Sequence, residues 1–232
     1  GHGEGERPAA LARWLTERRH PLTWRSIVNR VWQYHFGRGL VETPNDFGRM
    51  GATPTHPELL DWLAVEFRDG GQSFKALHRL IVTSAAYRQG SVPAMPDTTK
   101  ASATGADAQA IDPDNRYLWR QNRRKLEAES VRGSILFVSG KIDLKMGGPS
   151  FQDFVVEKPE HSPHYQYHLS DPEDPKCHRR SVYRFVVRSQ QQPFMTTLDC
   201  ADPSMQVARR NESVSPLQAL TLLNNSLVLA MS

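Results

Sequence analysis

The sequence predicts a mainly α fold, with amphipathic helices packed as one domain and a short β element near residues 181–188. Three observations predict it. Apolar residues recur at helical spacing in four windows within the first 88 residues. Two proline-containing starts carry a hydroxyl cap before an acidic or amide residue. Only one run, Val182 to Val187, alternates β-branched and aromatic residues as a strand does, with Tyr183, Phe185 and Val187 on one face.

Taken in order, Pro8 to Arg19 carries Leu11, Trp14 and Leu15 at helical spacing. Thr23 to Phe36 carries Trp24, Ile27, Val28, Val31 and Trp32, with Gly37 as a stop. Thr55-His56-Pro57-Glu58 reads as a capping box opening a helix to about Arg68, whose apolar face is Leu59, Leu60, Trp62, Leu63 and Phe67. Ser73 caps a fourth helix with Phe74, Leu77, Leu80, Ile81 and Tyr87 on one side. Between about residues 90 and 113 the composition turns to Ala, Ser, Thr, Pro and Asp, too poor in apolar surface to offset ordering the chain, so a flexible linker or insertion is expected. A basic helix is expected from Arg123 to Ser139, with Leu126, Val131, Ile135, Leu136 and Val138 inward and the pairs Arg123–Glu127 and Lys125–Glu129 on its solvated side. Residues 147–176 lack periodicity and read as an irregular loop. Ser215-Pro216-Leu217-Gln218 opens a last helix through Leu220, Leu223 and Leu227.

Composition narrows the function. The 232 residues carry a net charge of +4, 38% hydrophobic and 23% charged residues, as in ordinary globular proteins. No apolar run approaches the roughly 20 residues that cross a bilayer, so no membrane span is expected. Two cysteines, Cys177 and Cys200, permit at most one bridge. Acidic residues interspersed among the basic ones, and the lack of a lysine-rich tail, argue against nucleic acid. The start at Gly1 and the stop at Ser232 read as the ends of a fragment of a longer protein.

Arginine outnumbers lysine 22 to 7, which favours bidentate pairing with carboxylates or phosphates. Arg180, Arg184 and Arg188, four apart, share one face of a helix or a strand. In a strand successive guanidiniums stand about 13 Å apart, a row able to grip an anionic ligand such as an acidic glycan, with Arg209 and Arg210 following. The competing reading is an internal ion-pair network with Asp199, Asp202 and Glu212. His161, His164, His168, Cys177 and His178 are residue types that hold zinc or copper, but their spacing matches no familiar metal motif and Pro163 interrupts it. Asp174 stands where a haem c attachment sequence ending in Cys177-His178 needs its first cysteine, so no covalent haem is expected here. No serine sits in a Gly-x-Ser-x-Gly elbow, Gly147-Gly148-Pro149 is a turn rather than a phosphate cradle, and Asp46, Glu58, Asp61, Asp199 and Asp202 cannot be ranked as acids or bases.

Several long words stand in order along the chain. They are Asn29-Arg30-Val31-Trp32-Gln33-Tyr34-His35-Phe36-Gly37, Thr43-Pro44-Asn45-Asp46-Phe47-Gly48, Thr55-His56-Pro57-Glu58-Leu59-Leu60, His78-Arg79-Leu80-Ile81, Arg123-Arg124-Lys125-Leu126-Glu127 and Pro216-Leu217-Gln218-Ala219-Leu220. Together they resemble the domain of unknown function 1553, a C-terminal module of large planctomycete and verrucomicrobial proteins. The resemblance implies an exported or periplasmic parent, often with a cytochrome c-like domain, so haem c would belong to other parts of it. It implies no activity for residues of this chain. The expectation is therefore a non-catalytic module that docks a neighbouring domain or an anionic, possibly glycan, ligand through its arginines. The alternative is a metal-dependent hydrolase or cytochrome-coupled oxidoreductase part using the His161–His178 loop.

Overall fold

The computed structural model describes residues 5–91, 105–158 and 162–232. The chain divides into two compact units, Gly1–Arg124 and Lys125–Ser232. Most of the regular structure is helical, with one small two-stranded sheet.

In the first unit, α1 (Glu6–Leu15), α2 (Pro21–Phe36), α3 (Pro57–Asp69) and α4 (Phe74–Val82) occupy the four predicted windows. The core is built by Trp24, Val28, Val31, Trp32 and Phe36 of α2, Leu60, Leu63, Ala64 and Phe67 of α3, and Leu77 and Ile81 of α4, closed by Leu40 and Val41. Spacings of three and four along each helix produce these stripes. The helix ends follow local chemistry. His20 Nδ1 accepts from the Thr23 amide at 3.2 Å, Ser73 Oγ accepts from Ala76 at 3.3 Å, and Gly37 ends α2 at φ 82°. Three expectations fail here. The helix α1 forms but buries no residue. Trp62 is 46% exposed, because α3 turns it away from the core stripe. The capping box does not close: His56, not Thr55, is the cap residue of α3, and the Thr55 hydroxyl lies 3.0 Å from His56 Nδ1 instead.

Asn29 fixes the turn after α2. Fully buried, it donates to the Val41 carbonyl at 3.0 Å and accepts from the Val41 amide at 2.8 Å, imitating a strand partner. Gly39 must approach this bridge closely, since a Cβ there would sit 2.5 Å from the Val41 oxygen. Of the expected linker, residues 92–104 lie outside the described residues. The rest is ordered: α5 (Gly105–Ile111) leads to buried Asp112, whose carboxylate accepts from the amides of Arg116 and Tyr117. Asn122 Nδ2 then donates to the Phe36 carbonyl at 3.0 Å, tying this segment to α2.

In the second unit, the predicted basic helix is shorter than its periodicity suggests. It is α6 (Ala128–Val138), and its buried face is Ala128, Arg132 and Leu136. Leu126 and Val138, expected inward, are exposed, and the segment before Ala128 is not helical, so the two intrahelical pairs do not form. Glu127 and Glu129 both turn to Arg210 instead, at 3.4 and 2.7 Å. Residues 147–176 are more regular than expected. There β1 (Val155–Glu157) pairs antiparallel with β2 (His164–Gln166), with Val156 opposite Tyr165, and short 3-10 turns follow at Tyr167–Leu169 and Pro175–Cys177.

The short β element thus lies at Val155–Glu157 and His164–Gln166 rather than at 181–188. Ser181–Tyr183 is a 3-10 turn, and only one bridge remains, between Phe151 and Arg184. A strand there needs a continuous partner, and the chain supplies Phe151 alone, bonded to Tyr183 and Phe185 at 2.9 and 2.8 Å. The chain ends in α7 (Pro193–Thr197), α8 (Pro216–Asn224) and α9 (Ser226–Met231). Ser215 caps α8 by accepting from the Gln218 amide at 3.3 Å, as predicted, whereas the Gln218 side chain reaches Asp199 and Ser213 rather than back to the cap. Phe194, Met195 and Leu198 of this region pack with Ala128, Val131 and Ile135 to form the second core.

Candidate functional site

The second unit encloses a cavity of about 400 Å³, within the size range of small-molecule sites. Its apolar wall comes from Phe194, Pro193 and Leu227, and its polar wall from Arg132, Asp153, Tyr167, His168, Gln192 and Asn225. Phe194 is held by α7, whose cap Gln192 accepts from the Met195 amide at 2.7 Å. Asp153 sits between two core aromatics, Phe151 and Phe154, at the point where the chain enters β1.

Asp171 adds an exposed carboxylate at the rim, and the buried charges are Arg132 and Asp153 in the wall with Arg184 behind it. Arg132 is 4% exposed, because it lies on the core face of α6 between Ala128 and Leu136. Its guanidinium is spent on carbonyls: it donates to Arg179 O at 2.8 Å and to Cys177 O, and it lies 5.0 Å from the Phe151 ring. Carbonyls satisfy its N–H groups but leave its charge in place. Arg184, with a side chain 8% exposed, faces Asp153 at 3.8 Å. At that distance the pair is a charge contact rather than a hydrogen bond, and buried Asp153 Oδ1 has no hydrogen-bond partner. Burial pushes the Asp153 carboxyl above its ordinary range, against the pull of Arg184 and Arg132. Burial likewise lowers Arg132, helped by repulsion from Arg184. Two buried guanidiniums therefore share one carboxylate.

The five arginines singled out by sequence do not form one surface. Arg184 is interior and Arg188 is exposed, while Arg180 lies half-buried with its guanidinium 5.6 Å from the Tyr183 ring. The 3-10 turn at Ser181–Tyr183 breaks the period of four that would have aligned them. Arg209 is exposed, and Arg210 is held by Glu127 and Glu129. Internal pairing does occur, with partners other than those foreseen: Asp199 binds Lys125 at 2.6 Å, and Arg184 meets Asp153. Arg132 and Asp153 are the two site residues that sequence reasoning missed. Both left a trace, an arginine in register with Ala128 and Leu136 and an aspartate flanked by phenylalanines.

The histidines also scatter. His161 lies outside the described residues, His164 is exposed on β2, and His168 is exposed at the cavity rim. His178 is buried, its Nε2 2.9 Å from the Pro172 carbonyl. Among the described residues no group of three His, Cys, Asp or Glu side chains is placed to hold a metal ion. Cys177 and Cys200 are free thiols. Burial pushes both thiols up, with Asp174 adding to the rise at Cys177 and Glu129 at Cys200, so neither is primed as a nucleophile.

Residues 7–232 match the profile of the family described as PSD1: Protein of unknown function (DUF1553). The chain belongs to this family. The DUF1553 match runs through both compact units, so the long words quoted above and the segments between them form one family pattern. No curated protein and no solved structure matches the chain. Among the described residues no helix is long and apolar enough to cross a membrane.

Proposed function

We propose that this DUF1553 chain is a non-catalytic binding module of an exported multidomain protein, and that its second unit takes an anionic, hydroxyl-rich ligand of the acidic-sugar class in the Arg132–Asp153 cavity. One observation carries the reading: Arg132 lines the cavity and the buried Arg184 side chain lies behind it, with Asp153 the one buried carboxylate facing both, while the second carboxylate of the wall, Asp171, is exposed. Unbalanced buried charge is costly, and a ligand anion supplies the missing negative charge. Asp153 Oδ1, met by the Arg184 charge at 3.8 Å without a close hydrogen bond, retains acceptor capacity for a ligand hydroxyl while the anionic group faces Arg132. Aromatic and amide side chains, Phe194, Gln192 and Asn225, complete a lining suited to sugar rings. The two unactivated thiols favour binding over covalent catalysis.

Equilibrium dialysis of the full chain against uronic or sulfated oligosaccharides and their neutral counterparts tests the reading. Retention of the acidic sugars only is expected, weakening as salt rises. Ser226→Trp, which crowds the cavity rim, should abolish it. Equal retention of neutral and acidic sugars, or binding untouched by Ser226→Trp, would refute the assignment.

A further inference from the structure

We propose that His35 and His78 of the first unit form a two-imidazole site for a divalent transition metal of tetragonal preference, Cu²⁺ or Ni²⁺. His35 stands in the last turn of α2 and His78 in the middle of α4, two helices packed against each other. Their rings meet nearly edge to face, at 72° with centroids 5.0 Å apart, and His35 Nε2 and His78 Nδ1 share a hydrogen bond of 2.7 Å; a bound ion takes the place of that proton, which moves to the donor ring's other nitrogen. Imidazole nitrogens bind such ions at about 2.0–2.1 Å, so a separation of 2.7 Å subtends about 80° at a shared ion. That is near the 90° cis angle of a tetragonal centre and well short of the tetrahedral angle that zinc prefers. A few tenths of an ångström of opening would complete the fit.

The surroundings permit loading. His78 is exposed and His35 half-buried, so the remaining positions open to water. Tyr87 lies edge-on to His35, its ring centroid 5.6 Å away, and packs against that ring. The Arg124 guanidinium acts against a cation, which limits affinity rather than geometry. An ion held by α2 and α4 together would exist only in the folded chain and would clamp those helices.

Thermal unfolding of the full chain with Ni²⁺ alone as probe tests this. At free Ni²⁺ a hundredfold above its Kd, the melting temperature should rise by about 5–10 °C, and Zn²⁺ should give a smaller rise. His78→Ala removes the contact with His35 and so sets its own metal-free melting temperature, above which Ni²⁺ should give no rise. The double variant His164→Ala/His168→Ala should keep it. No rise in the wild type, a rise retained in His78→Ala, a rise lost in the double variant, or zinc matching nickel would each overturn the proposal.

Discussion

Asp199 fastens the second unit, and replacing it by Asn isolates its charge. The backbone there has φ 65°, a left-handed conformation that Asn tolerates, so Asp199→Asn leaves the turn intact. The carboxylate, 16% exposed, accepts from Lys125 Nζ at 2.6 Å, from the Ser213 amide at 2.8 Å and hydroxyl at 2.9 Å, and from Gln218 Nε2 at 3.2 Å. Although burial opposes it, these donors lower the Asp199 pKa to about 2. Against an unfolded value near 3.9, that shift corresponds to about 2.6 kcal/mol, and solvent screening at this surface network leaves about 1 kcal/mol. The folded pKa is depressed, so the contribution is fully present above the unfolded pKa and is lost as pH falls through the folded one. All five tryptophans lie in the first unit, so fluorescence would miss the effect. Hydrogen exchange over residues 193–200 and 213–224 reads it directly. At pH 7 the variant should exchange roughly fivefold faster than the wild type there. The gap should be about half as large, in free energy, at pH 3. Equal protection at pH 7, or a gap that does not shrink with acid, would refute the argument.

Three further outcomes are expected. Gly39→Ala should destabilise the first unit by about 1–3 kcal/mol, read by tryptophan fluorescence in urea, because the added Cβ collides with Val41 O and the Asn29 amide. Asn29→Leu should cost about 1–3 kcal/mol in the same assay, since it leaves the buried amide and carbonyl of Val41 without their partner. Thiol alkylation should be slow at pH 7 for both Cys177 and Cys200 and accelerate only above the usual thiol range, since burial raises both; rapid labelling of either at neutral pH would contradict this.

The sequence by itself determined the helices of the first unit, the caps at Ser73 and Ser215, and the family. Each of these is written in local spacing or in contiguous words, and local chemistry acts over three or four residues. It did not determine whether a β-branched run became a strand. Val182–Val187 has the composition of one, yet a strand exists only where another segment pairs with it, and Phe151 alone does so. The site was legible in part. Arg184 stood out by its spacing, whereas its meaning changed once folding buried it against Asp153. Arg132 carried no reading in the sequence, and only the packing of α6 through Ala128 and Leu136 shows that this arginine faces inward. The pairing of His35 with His78 joins positions far apart in the chain. Only tertiary packing could decide these, because the free energy of a buried charge or a shared proton depends on what the rest of the chain brings within a few ångströms of it.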